Sequence, residues 1–285
     1  MQICSMIGIF EAGGSKTEFL FGDSEKHTEV QSKGIHPVFM DDESIISVLK
    51  ELSSVSGFSM PEQIFFYGAS CGSHEQSARM HGLLTDVFNQ SQIVVESDLL
   101  GTARALCGHN PGFAAILGTG SNACLFDGKE IGPRMVSFGF WLGDEGSGGH
   151  IGKTVFRAWL KGELPADLEE HAAESFGGPR ETALNEILGD KKPNARMAAL
   201  GGLAIHNKEH PFFQKLILAC LKKFFEENSY LVEKAGDRPF HFSGSVAYYL
   251  QDEIKQILSE QNLSPGIFAD KIARLLFNYH SATNR

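Results

Sequence analysis

Two short apolar runs, each broken by a glycine-rich turn and resumed as a β-prone run, constrain this chain more than any other feature. The first covers residues 6–10, the turn Glu11-Ala12-Gly13-Gly14-Ser15-Lys16 and residues 17–21. The second covers residues 113–117, the turn Gly118-Thr119-Gly120-Ser121 and residues 123–126, with a further turn at Asp127-Gly128. One device used twice, about a domain length apart, predicts two α/β domains. A chain of 285 residues also exceeds what one hydrophobic core usually serves.

Between the two hairpins, helical periodicity over residues 42–55 and 79–88 alternates with apolar runs at 63–67 and 92–95, and a helix is expected from Asp98 to Cys107. Beyond residue 130 the pattern turns more helical, with helices read at 148–160, 166–176 and 211–235. Pro211 suits a first turn. A short strand at 240–242, a turn at Gly244, and helices at 246–258 and 268–279 complete the reading. The Phe-rich stripe at 211–225 reads as core. His206 and His210, four apart, read as surface groups without a metal-ligand pattern.

Composition bounds the function. A formal charge of −10, from 35 acidic and 25 basic side chains, excludes the broad cationic surface that duplex nucleic acid requires, but leaves room for a small anion held by backbone N–H groups. Cys4, Cys71, Cys107, Cys124 and Cys220 are scattered, without a CxxC pair, which fits reduced thiols in the cytoplasm. No run of about 18 apolar residues predicts a membrane span, and no basic-then-apolar leader precedes the first strand.

Five segments carry chemistry. In the first turn Gly13 and Gly14 let backbone approach a ligand, while Ser15, Lys16 and Thr17 can donate to phosphate oxygens; an ordinary hairpin is the alternative. It is not a Walker loop, because the GxxxxGK[ST] spacing is absent. Gly118-Thr119-Gly120-Ser121-Asn122 repeats that logic. Asp98, where a strand gives way to a helix, is either a helix cap or a general base for a hydroxyl attacking a γ-phosphate. Gly143-Asp144-Glu145-Gly146-Ser147-Gly148-Gly149 sets two carboxylates among glycines, suited to vicinal sugar hydroxyls or metal-bound water, or to capping. Phe242-Ser243-Gly244-Ser245 offers a turn for an adenosine moiety.

The order of these five elements resembles the actin-like phosphotransferase superfamily. Glu11 followed by AGGSKT, the LGTGSN hairpin, the GDEGSG loop and a terminal helix ending Asn278-Tyr279-His280 look like N-acetylglucosamine kinases, which belong with the activator ATPases of benzoyl-CoA reductase and 2-hydroxyacyl-CoA dehydratase. The resemblance implies an α/β fold of two duplicated actin-like, ribonuclease H-like domains, residues 1–112 and 113–285, with an interdomain nucleotide cleft and the last helix returning to the first domain. It implies phosphorylation of a hexosamine, N-acetylglucosamine above all, by ATP with Mg²⁺, closure on substrate, and in many such proteins a homodimer.

By position, Gly13 to Thr17, Gly118 to Ser121, Gly244 and Ser245 would bind the nucleotide, Glu11 the metal, and Asp98 would be the base. His36, Ser70, Thr119, Gly120, Gly143, Asp144 and Glu145 would join Asp98 around the sugar. Where these kinases carry Asn in a GxNP-like segment, this chain has Gly34-Ile35-His36-Pro37. An activator-type ATPase, to which Cys124 beside the second hairpin is the pointer, and a non-catalytic sugar sensor are the rival readings.

Overall fold

A computed structural model describes residues 6–23, 25–190 and 192–283 of the chain; Cys4 lies outside them. The chain divides into two compact units. One holds the described residues up to Asn110, Phe126–Ile131 and those from Lys271 onward, and the other holds Pro111–Leu125 and Gly132–Asp270.

The first unit is built on β1 (Ile7–Ala12), β2 (Lys16–Gly22), β3 (His27–Lys33), β4 (Gln63–Gly68) and β5 (Gln92–Ser97), in the order β3-β2-β1-β4-β5. β1 to β3 run antiparallel through tight connections, whereas β4 and β5 run parallel to β1. Parallel pairing demands crossovers, supplied by α1 (Asp42–Ser53) and α2 (His74–Val87). α1 begins where the Asp41 carboxylate accepts from the Ser44 N–H at 2.7 Å. α2 begins earlier than its periodicity predicts, because Ser73 caps it through Gln76. The strongly apolar β1 is central and covered on both sides. Phe10 and Phe19 stack at 4.0 Å within a cluster that includes Phe66 and Phe88. α3 (Asp98–Cys107) follows β5 directly.

The second unit repeats the plan with β6 (Gly112–Leu117), β7 (Ser121–Phe126), β8 (Ile131–Arg134), β9 (Phe240–Ser243) and β10 (Pro265–Ala269), ordered β8-β7-β6-β9-β10. The duplication expected from the twin hairpins is present. The difference lies in the insertion before β9: α4 (Gly139–Leu142), α5 (Gly148–Leu160), α6 (Ala166–Phe176), α7 (Arg180–Leu188), α8 (Pro193–His206), α9 (Pro211–Glu227) and α10 (Ser229–Ala235). Phe213, Phe224 and Phe225 of α9 are buried in this unit's core, as their stripe predicted. His206 is exposed, and His210 caps α9.

Three expected helices toward the C-terminus are also corrected. The helix expected over 211–235 is two, because the Asn228 side chain caps the Phe224 carbonyl at 2.8 Å and ends α9. The helix expected over 246–258 is also two, α11 (Ser245–Tyr249) and α12 (Gln251–Glu260). The helix expected from Phe268 begins only at Ala273, as α13 (Ala273–Thr283), because Phe268 and Ala269 pair with Phe242 and Ser243 to form the outer strand β10. A short apolar run reads equally as helix or strand until a sheet edge decides. α13 packs on β1, β2 and α3 of the first unit. Among the described residues no helix is long and apolar enough to cross a membrane.

Candidate active site

In the first unit, register brings the predicted residues to one edge. Ala12 of β1 pairs with Gly68 of β4, which pairs with Ser97 of β5, so three parallel strands end together. Ligands of parallel α/β sheets bind at such carboxyl ends. The β1–β2 turn closes through Gly13 N–H to the Lys16 carbonyl at 2.9 Å. Neither Gly13 nor Gly14 has positive φ, so the expected left-handed geometry is not what they supply. They supply open space, since a Cβ on Gly14 would meet nothing nearer than 3.9 Å. Ser15 is exposed, Lys16 opens β2, and the buried Thr17 hydroxyl oxygen accepts from Ile35 N–H at 2.9 Å.

Glu11 stands in β1 between two partners of the same rung, Glu18 on β2 and Tyr67 on β4. Glu18 is fully buried and paired with Lys271 at 2.7 Å, an ion pair that holds the Lys271 ammonium above its ordinary pKa. After β4 the chain turns through Ser70, which has φ of 67°, a left-handed conformation costing about 1–3 kcal/mol and characteristic of functional sites. Cys71, next along, has its thiol pushed up to about 12 by burial and by the Asp98 charge, which leaves it unreactive.

Asp98 is the first residue of α3, and the cap is Ser97, whose Oγ accepts from Leu100 N–H at 3.2 Å. The N-cap position thus belongs to Ser97, and Asp98 stands one residue inside the helix. Its carboxylate accepts from Leu99 N–H at 2.8 Å, which favours the charged form, but burial dominates and raises the pKa. A raised pKa makes the carboxylate a better proton acceptor.

In the second unit the GTGS hairpin and the GDEGSG loop are one object. Gly148 N–H donates to the Gly118 carbonyl at 2.8 Å and Gly149 N–H to Thr119 at 3.1 Å, so the start of α5 is stitched to the hairpin. Ser147 caps α5 through His150. The many glycines of this loop then have packing reasons: a Cβ on Gly149 would lie 3.0 Å from the Thr119 carbonyl, and Gly146, with φ of 75°, would press on Phe224 at 2.8 Å.

Asp144, itself at φ of 61°, lies against the hairpin. It accepts from Ser121 N–H at 3.3 Å, and a Cβ on Gly120 would stand 2.9 Å from its Oδ2. Burial raises its pKa first, the Ser121 N–H and the Lys153 charge oppose, and neighbouring Glu145 adds to the rise. Gly244, with φ of 98°, abuts the end of β6, where a Cβ would stand 2.5 Å from the Leu117 carbonyl. Ser245 opens α11 there, exposed.

Sequence reasoning missed four cations: Arg79 and Arg104 on helices of the first unit, Lys271 beside Glu18, and Lys153 on α5. Lys153 donates to the Phe140 carbonyl and sits over the Phe140 ring at 4.6 Å, with its charge felt by both Asp144 and Glu145. None belongs to a motif; each matters through what the fold brings beside it. Cys71, Cys107, Cys124 and Cys220 are buried and form no disulfide, and among the described residues no three His, Cys, Asp or Glu side chains gather as a metal site.

The two five-stranded sheets with this topology are the actin-like ATPase fold. A putative N-acetylglucosamine kinase from Porphyromonas gingivalis is similar to this chain with a TM-score of 0.90 and 29% identity, over 99% of this chain and 100% of its own. A second putative N-acetylglucosamine kinase, from Chromobacterium violaceum, shares the fold at a TM-score of 0.74 and 17% identity, over 97% and 99%. MreB5 of Spiroplasma citri, solved with ADP, shares it at 0.54 and 9%, over 98% and 95%. No protein-family model and no curated protein matches the sequence. The two more distant likenesses show the fold, and the 29%-identical neighbour supports a place in the actin-like sugar kinase superfamily and points to a sugar kinase.

Proposed function

We propose that the chain is an ATP-dependent kinase that phosphorylates an amino sugar, N-acetylglucosamine on its 6-hydroxyl. The observation that supports this best is Asp98: a carboxylate on the first turn of a helix capped by Ser97, at the carboxyl edge of a parallel sheet, and made more basic by burial. A hydroxyl attacking phosphorus must lose its proton as the new bond forms. Asp98 is the acceptor, and its seat between a rigid strand and helix fixes its direction.

The open Gly13-Gly14 turn with Ser15 and Lys16, and the hairpin Gly118 to Ser121, hold phosphate groups through backbone and side-chain donors, with the Gly244-Ser245 turn toward the nucleoside. Asp144 and Glu145 orient ring hydroxyls, with Ser70 and His36. Mg²⁺ binds proteins through one or two carboxylates and keeps several waters, a demand that the half-buried Glu11, one residue before the end of β1, fits. Bound there, the ion would neutralise charge on the transferring phosphoryl group.

ADP release measured over a panel of hexoses and amino sugars tests the activity. Asp98→Asn keeps the shape and removes the base, so turnover should fall about 10²–10⁴-fold while ATP and sugar still bind. Near-normal kcat in that variant would remove Asp98 from the role.

A further inference from the structure

The segment between β3 and α1 is fixed from two sides. Toward the sheet, Gly34 N–H donates to the Ser15 carbonyl at 3.1 Å and Ile35 N–H to the buried Thr17 hydroxyl at 2.9 Å. A Cβ on Gly34 would stand 2.6 Å from the Gly13 and Gly14 carbonyl oxygens, so backbone lies on backbone and no other residue fits. From the opposite side comes a single guanidinium. Arg79 of α2 donates to the Pro37 carbonyl, to the Met40 carbonyl at 2.9 Å and to the Asp42 carboxylate at 2.7 Å.

Between these anchors sits His36. Phe39 and Met40 N–H groups both donate to its carbonyl, at 3.0 and 3.1 Å, and its ring lies against that of Phe39, centroids 4.4 Å apart and planes tilted by 34°. The imidazole Cδ2 is 3.9 Å from where a Gly14 side chain would begin, which puts the ring beside the first turn. Phe39 itself is 64% exposed, a large apolar ring kept at the surface with its neighbour Val38.

We infer that Arg79 is a positioning residue for acceptor choice, holding the loop so that His36, backed by Phe39, reads the hydroxyl pattern of the incoming sugar. This rests on the kinase reading above. The His36 Nδ1 is buried, so the ring can meet a sugar hydroxyl only through Nε2, and one polar atom tells one hydroxyl position from another only when its direction is fixed. An unpinned surface loop would not fix it. Arg79 spans three acceptors because a guanidinium carries five donors in a rigid plane; a lysine ammonium cannot reproduce that spread.

The test compares kcat/KM for N-acetylglucosamine with that for N-acetylmannosamine and glucose in wild type, Arg79→Lys and Phe39→Ala. A ratio between two sugars does not depend on how much of the protein is folded, so a merely structural role leaves it unmoved. Both variants should compress the wild-type preference by about tenfold, through sugar KM more than kcat, with the KM for ATP little changed. Phe39 is exposed, so its variant keeps the test alive if Arg79→Lys folds poorly. Unchanged ratios in an active Phe39→Ala enzyme would overturn the inference and leave the kinase reading standing. A wild-type protein that phosphorylates no sugar would overturn both.

Discussion

Tyr67→Phe removes one oxygen and tests the network that fastens α3 and α13 to the first sheet. Tyr67 is fully buried; its hydroxyl lies 2.7 Å from His280 Nε2 and 3.0 Å from Arg104 Nη1. A guanidinium only donates, so the tyrosine oxygen accepts from Arg104 and its single proton goes to His280. That arrangement uses the neutral imidazole with its proton on Nδ1 and Nε2 accepting. Burial, and after it the Arg104 charge, depress the His280 pKa to about 4, in accord with that state.

The variant keeps the ring against Gly101, where a Cβ would stand 2.7 Å from Tyr67 Cδ1, so no cavity term enters. Two hydrogen bonds are lost, one neutral at about 1 kcal/mol and one from a charged donor at about 1.5–3 kcal/mol. The Arg104 side chain is 19% exposed and regains only a little of its loss from water, which leaves about 2–3 kcal/mol. In calorimetry the first unit's transition should fall by roughly 5–10 °C. A change below about 2 °C would refute the network.

The same geometry sets an acid limb. With a folded pKa of about 4 against roughly 6.5 unfolded, the unfolded chain binds the extra proton between those values. Stability from the neutral imidazole is complete above pH 6.5 and is lost as pH falls toward 4, by about 3 kcal/mol at most. In urea titrations His280→Gln should lack this decline, and parallel wild-type and variant curves would count against it.

Gly152→Ala should cost at least about 3 kcal/mol in urea unfolding, because the new Cβ would lie 1.8 Å from the Met197 carbonyl of α8 and only backbone could yield; a gain of about 1 kcal/mol in helix propensity cannot offset that. A neutral result would mean that α5 and α8 are not at backbone contact. Gly120→Val should push Asp144 off the hairpin and weaken ATP binding more than tenfold, with little change in melting temperature. Undiminished affinity in a nucleotide titration would free the second hairpin from phosphate binding.

What the sequence shows and hides divides along a physical line. The two hairpins, the α/β alternation and the edge residues were legible because each rests on a local pattern: alternation, glycine punctuation, a cap next to a carboxylate. The insertion α7 and α8 was not, since α8 owes its place to Gly201, whose Cβ would sit 2.3 Å from the Gly148 carbonyl. A glycine in a helix normally argues against that helix, and only the partner backbone explains it. β10 was hidden for the converse reason: its pairing to β9 is supplied by a strand more than twenty residues earlier.

The site shows the same division. Asp98 was legible as two possibilities, and the sequence did not show that the N-cap is the preceding Ser97, whose hydroxyl reaches Leu100 while the Asp98 carboxylate takes the Leu99 N–H. The glycines of the GDEGSG loop looked like room for a ligand, yet Gly146 and Gly149 are mainly room for Phe224 and the Thr119 carbonyl. Arg79 left no trace at all, being 37 residues from the carboxylate it binds. A motif records the atoms that meet a ligand, whereas the residues that aim those atoms are chosen by whatever the fold sets beside them. On the kinase reading proposed above, selectivity among sugars is to be sought in Arg79 and Phe39 before the glycines that marked the site in the sequence.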